Sequence, residues 1–122
     1  LPRIKSDFLD LMISTANESL SSCEMEILDD TYSNVVMVAG GYPEAYEKGN
    51  VITGIPENSE ETIIFQAGTK TVNTNVVTNG GRVLSVVSKG TDHKRALSKS
   101  YEVVDKINYK DKNYRKDIGF DL

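Results

Sequence analysis

The sequence predicts an α+β fold: a small antiparallel β-sandwich or half-barrel, hybrid-like between barrel and sandwich, flanked by an N-terminal and a C-terminal helix. Three observations predict it. Short runs of strand-forming residues cluster between positions 34 and 88, turn residues separate them, and a helical apolar period occurs only before and after them.

The first helix is expected to start at Ser6, whose hydroxyl can cap it, with Asp7 favoured by the positive end of the helix dipole. Phe8, Leu9, Met12, Ile13, Ala16 and Leu20 then recur at i, i+3 and i+4, with fraying over Ser19–Ser22. Glu24, Glu26, Asp29 and Asp30, interleaved with Met25, Ile27 and Leu28, read as a charged edge strand and turn. Asn34–Ala39 is almost continuously apolar, which implies burial on both faces or a sandwich core. Further strands are expected at Val51–Gly54, Thr62–Gln66, Val72–Thr78 and Arg82–Ser88. Asn79-Gly80-Gly81 between the last two is the strongest hairpin signal, because both asparagine and glycine tolerate positive φ. Thr91 or Asp92 should cap a second helix reaching about Ile107, with Leu97, Tyr101, Val104 and Ile107 on one stripe. A polar tail, Tyr109–Leu122, ends the chain.

A chain of 122 residues is one domain, or one with a short piece of a neighbour. Its net charge of −4 gives no electrostatic case for nucleic acid or an anionic membrane surface. The single cysteine, Cys23, has no internal partner, so a reducing, cytoplasmic setting is expected. No apolar run reaches the roughly 18 residues of a membrane span. The opening Leu-Pro-Arg-Ile-Lys lacks an initiator methionine, as expected of the interior of a longer polypeptide.

Residue types exclude the common catalytic constellations. His93 is the only histidine, so no histidine pair can bind a metal, and a solvated position in the first turn of the second helix is expected for it. Cys23 has neither a CxxC partner nor an adjacent base. Two glycine loops remain. In Gly40-Gly41-Tyr42-Pro43-Glu44-Ala45-Tyr46-Glu47-Lys48-Gly49 the glycines can expose amides, the tyrosines can pack on a sugar, and Lys48 supplies a mobile charge. In Thr78-Asn79-Gly80-Gly81-Arg82 a turn delivers an arginine, the side chain shaped for bidentate phosphate contact. On residue types alone both loops serve equally well as hairpin corners with exposed charges.

The loops in combination say more. "GGYPEAYEKGNVITG" from Gly40, "AGT" at Ala67–Thr69, "TNGGRVL" at Thr78–Leu84 and "YRKDIG" at Tyr114–Gly119, in that order and spacing, resemble the C-terminal domain of the phosphoribosylamine–glycine ligase family. The opening "LPRIKSDFLDLM" resembles the segment that closes the preceding ATP-grasp module there. The chain departs from the pattern at Gln66, where the family often has histidine, and at the atypical Phe120-Asp121-Leu122.

The resemblance implies residues 1–28 as a closing helix and linker of the upstream module and residues 29–122 as the C-terminal domain of an ATP-grasp enzyme. It implies a reaction in which ATP phosphorylates the glycine carboxylate and the amine of 5-phosphoribosylamine attacks the acyl phosphate. ATP and magnesium would be held upstream of Leu1, so this piece alone is expected to be inactive. The partners implied are the upstream ATP-grasp and N-terminal domains of the same enzyme and its small-molecule substrates. Gly40, Gly41, Tyr42, Lys48, Gly80, Gly81 and Arg82 are the expected substrate-binding residues, orienting and neutralising an anionic ribose phosphate, with none expected to be catalytic. Two rival readings are a lysine-borne carrier module, for which the best turn lacks the lysine, and a structural domain bracing the ATP-grasp body.

Overall fold

A computed structural model describes residues 1–121; Leu122, the last residue of the expected C-terminal domain, lies outside the described residues. The chain separates into two compact units, Leu1–Asp30 and the remainder from Thr31 onward.

In the first unit, helix α1 spans Phe8–Ala16, followed by a single 3-10 turn at Leu20–Ser22. Asp7, not Ser6, is the N-cap: its carboxylate accepts from the Leu9 amide at 2.8 Å. Ser6 is engaged elsewhere, its hydroxyl accepting from the Glu26 amide at 2.8 Å. The expected charged edge strand is reduced to one antiparallel bridge between Ile4 and Ile27, flanked by hydrogen bonds from the Lys5 amide to the Glu26 carbonyl and from the Leu28 amide to the Arg3 carbonyl. No residue of α1 is buried within the described structure, and Phe8, Leu9, Met12 and Ile13 are all exposed.

The second unit is an α+β domain built on an antiparallel sheet. Its strands are β1 (Thr31–Val38), β2 (Thr62–Gln66), β3 (Thr69–Val72), β4 (Asn75–Thr78), β5 (Arg82–Gly90) and β6 (Asn113–Tyr114). Four form one sheet in the order β2-β5-β1-β6, and β3 pairs with β4 in a separate hairpin. Helix α2, His93–Lys106, packs across β1 and β5. One face of the sheet is therefore covered: Val35 and Met37 of β1, Val86 and Leu84 of β5 and Ile64 of β2 form the core with Val104 and Ile107. β1 accordingly alternates instead of being buried on both sides, with Val36 and Val38 only half-buried. Ser33 stands on the helix side and fits there because its hydroxyl donates to the Ala96 carbonyl at 2.8 Å and lies 2.7 Å from the Ser100 hydroxyl.

Asp92 caps α2 by accepting from the Arg95 amide at 2.8 Å. Asp92→Ala is expected to destabilise the fold by about 1 kcal/mol, measurable as a lower denaturation midpoint at unchanged slope.

The structure departs from the sequence reading in three further places. Val51–Gly54 forms two isolated bridges, Val51 with Val77 and Thr53 with Asn108, and no continuous strand. Val72–Thr78 is a hairpin limb, not one strand: Val72 pairs with Asn75 around a two-residue turn in which Asn73 adopts φ 54°. Asn79-Gly80-Gly81 does not join paired strands, since β4 pairs with β3 while β5 pairs with β1 and β2. Neither Asn79 nor Gly80 takes a positive φ there; both amides donate to the Gly68 carbonyl, at 2.7 and 3.1 Å.

Candidate binding surface

The two glycine loops meet. β1 runs directly into Ala39 and Gly40, and β5 begins at Arg82, so the antiparallel pairing of these strands brings their adjoining loops together. The Ala39 amide donates to the Gly81 carbonyl at 2.8 Å. The Tyr42 ring lies against Gly81: a Cβ at Gly81 would collide with Cδ2 of that ring. Here glycine is required by close approach.

A register shift at the same end of the sheet positions the arginine. Met37 pairs with Leu84 but Val38 pairs with Arg82, leaving Val83 as the extra residue of a bulge. Val83 and Leu84 are both fully buried, and Arg82 turns outward and exposed. Among the described residues its guanidinium makes no hydrogen bond and no ion pair. The "AGT" motif supports this segment from behind, because the backbones of Gly68 and Gly80 lie too close for a Cβ on Gly68.

On the first loop, Gly41 adopts φ 90° and a Cβ there would run into the Ala45 carbonyl. The Tyr42–Pro43 peptide bond is cis. Tyr42 and Tyr46 contact edge to face, with ring centres 6.0 Å apart. Lys48 lies over Tyr46, its Nζ 5.9 Å from the ring centre, and no hydrogen bond or ring contact joins it to Gly80–Arg82 among the described residues. No backbone hydrogen bond from the Gly40 or Gly41 amide is found among the described residues. Gly41→Ala is expected to cost about 1–2 kcal/mol, since it combines a left-handed backbone with a carbonyl collision. Thermal denaturation of the variant measures it.

Behind the loop is a cleft of about 300 Å³ lined by Ala39, Gly40, Tyr46, Asn50, Lys110 and Asp111, among others. The sequence reading passed over its far wall, Lys110 and Asp111, because only the turn of the tail back to β1 brings it here. Gln66 accepts from the Thr69 hydroxyl at 3.0 Å and closes its own turn. His93 is not solvated as expected: it is half-buried, its Nε2 is enclosed without a partner, and Tyr32, Ser33, Asn34, Leu97 and Ile118 line the space around it. Of the tail, Ile118 contributes to this enclosure, beside Tyr32–Asn34 of β1. No group of three His, Cys, Asp or Glu gathers to hold a metal ion among the described residues.

The fold and this surface define a module that offers amide donors, aromatic faces and a free cation, with no acid–base pair among the site residues. The chain belongs to the family described as phosphoribosylglycinamide synthetase, C domain, whose model matches residues 32–121. It is 45% identical over 122 residues to the phosphoribosylamine–glycine ligase of Fusobacterium nucleatum, covering 98% of this chain and 29% of that protein. A bifunctional purine biosynthetic protein of Pichia angusta is 46% identical over 120 residues, covering 98% of this chain and 15% of that one. The crystal structure of phosphoribosylamine–glycine ligase from Thermotoga maritima superposes with a TM-score of 0.70 at 37% identity, over 87% of this chain and 27% of that chain. The chain thus spans less than a third of the length of these relatives.

Proposed function

We propose that this domain works within an ATP-dependent ligase that joins glycine to 5-phosphoribosylamine to give glycinamide ribonucleotide, a step of purine biosynthesis, through a glycyl phosphate. Its contribution is to the substrate side. Gly40, Gly41 and Tyr42, with Gly80, Gly81 and Arg82, present donors and charge to the ribose phosphate, and Lys48 adds a second, mobile cation. Their work is orientation and charge neutralisation, not bond-making. ATP and magnesium belong, on this reading, to an upstream ATP-grasp module, which Leu1–Leu28 closes and against which this C-terminal domain, described more finely as a sandwich-barrel hybrid, packs. On this reading the setting is cytoplasmic. Separately, no helix among the described residues is long and apolar enough to cross a membrane.

The observation that carries the reading is the meeting of the loops, with the Tyr42 ring seated on Gly81 and the unpaired Arg82 beside it. An anionic sugar phosphate needs cationic and backbone donors on one surface, and these elements supply both. Glycine-dependent ADP release by the full-length chain, with phosphoribosylamine supplied, tests it. Turnover that disappears when either glycine or phosphoribosylamine is omitted is the expected result, and its absence from a folded full-length chain rejects the assignment.

A further inference from the structure

The cleft behind the glycine loop has a wall that the proposed function leaves without a task. Three consecutive residues of the tail, Tyr109, Lys110 and Asp111, meet the loop or the end of the strand that feeds it: Lys110 and Asp111 touch the loop, and Tyr109 holds the last residue of β1. Tyr109 Oη donates to the Val38 carbonyl at 2.9 Å, two residues before Gly40. Lys110 Nζ binds Glu47 Oε2 at 2.7 Å, at the opposite end of the loop. Asp111 packs between them: a Cβ on Gly40 would collide with Asp111 Cβ and stand 2.8 Å from its carbonyl oxygen.

We infer that Tyr109-Lys110-Asp111 is a positioning brace that fixes the Gly40–Lys48 loop in its substrate-binding conformation, which rests on the site reading above. Lys110 and Asp111 act on the loop and Tyr109 on the strand end that leads into it, so they position and do not catalyse. The brace is anchored independently of the loop. Tyr109 is buried in the core, and Lys112 binds the Val104 and Ile107 carbonyls at the end of α2, at 3.0 and 2.8 Å. Asp111 holds φ 55°, a left-handed region that aspartate adopts more readily than most side-chain-bearing residues, at the point where it meets Gly40. Burial raises the Tyr109 phenol well above its ordinary pKa, and the Glu47 hydrogen bond raises Lys110.

Isolated surface ion pairs add little stability, which makes the Glu47–Lys110 pair a good probe of positioning as distinct from folding. In the full-length chain, Glu47→Lys and Lys110→Glu are each expected to raise the KM for phosphoribosylamine on the order of tenfold. The KM values for glycine and ATP, and the melting temperature, should stay near wild type, since small misplacement of binding groups costs rate or affinity steeply. The double swap, which restores the pair with reversed polarity, should bring the KM back to within about twofold of wild type. Tyr109→Phe, which keeps the ring and removes only the donor, should raise the same KM.

Arg82→Ala measured in parallel separates the two ideas. If it raises the phosphoribosylamine KM while the single swaps leave it unchanged, the site stands and the brace is wrong. If Arg82→Ala has no effect on that KM, the site reading fails first. Single variants that lower the melting temperature without a KM change specific to phosphoribosylamine, or a double swap that fails to restore it, also overturn the brace.

Discussion

Arg82→Ala in the full-length chain is expected to raise the KM for phosphoribosylamine roughly ten- to a hundredfold, corresponding to about 1.5–3 kcal/mol for one charge-assisted contact. The melting temperature should not move, because Arg82 is exposed and, among the described residues, binds nothing in the protein. A site that only binds substrate, without strengthening in the transition state, shows the loss in KM and leaves kcat nearly unchanged. Steady-state kinetics with phosphoribosylamine varied at saturating glycine and ATP reads this directly. A purely structural role, with the loops buried against a neighbouring domain, gives the opposite pattern: a lower melting temperature at unchanged KM.

Leu84→Ala should act on stability instead. Leu84 is fully buried on the central strand β5, paired with Met37 on one side and Gln66 on the other, under the face that α2 covers. Removing most of a buried leucine costs about 2–5 kcal/mol, the lost transfer energy plus the cavity left behind. For a domain of this size each kcal/mol lowers Tm by roughly 4–8 °C, so a large fall is expected by circular dichroism. A shift of less than about 3 °C would mean that Leu84 is not in a packed core. Leu84 stands two residues from Arg82, so the pair of variants separates folding from function on one strand.

Much of the fold was legible because local chemistry and tertiary context agree. Thr62–Gln66 is a strand with the bounds read from its β-branched run, and α2 starts at an aspartate cap. The misses occurred where neighbours decided. Asn79-Gly80 carries the best hairpin signal in the chain, but β5 is claimed on both sides by β1 and β2, so the segment became a close backbone approach to Gly68. Asn73-Thr74 inside an apparent strand was a turn signal in plain view, since asparagine tolerates left-handed dihedrals. The apolar stripe read for α2 holds at its C-terminal half, where Val104 and Ile107 are fully buried; toward the N-terminus Ala96 and Ser100 are buried instead, and Leu97 and Tyr101 pack at the margin.

The candidate surface divides in the same way. Its glycines were legible because only glycine fits beside the Tyr42 ring, the Ala45 carbonyl and Asp111. The bulge at Val83 and the brace at Tyr109–Asp111 were not, because register and long-range return of the tail leave no local trace in sequence. Their only signal was an unabsorbed polar tail with two tyrosines close together.

The central claim is that the joined glycine loops with Arg82 bind a ribose phosphate, and the most direct test is calorimetric titration of ribose 5-phosphate into the full-length chain, wild type and Arg82→Ala, at low and raised salt. The account predicts binding to wild type that weakens with salt and falls roughly ten- to a hundredfold in the variant, with ATP binding unchanged. Equal affinity of both proteins for ribose 5-phosphate would contradict it.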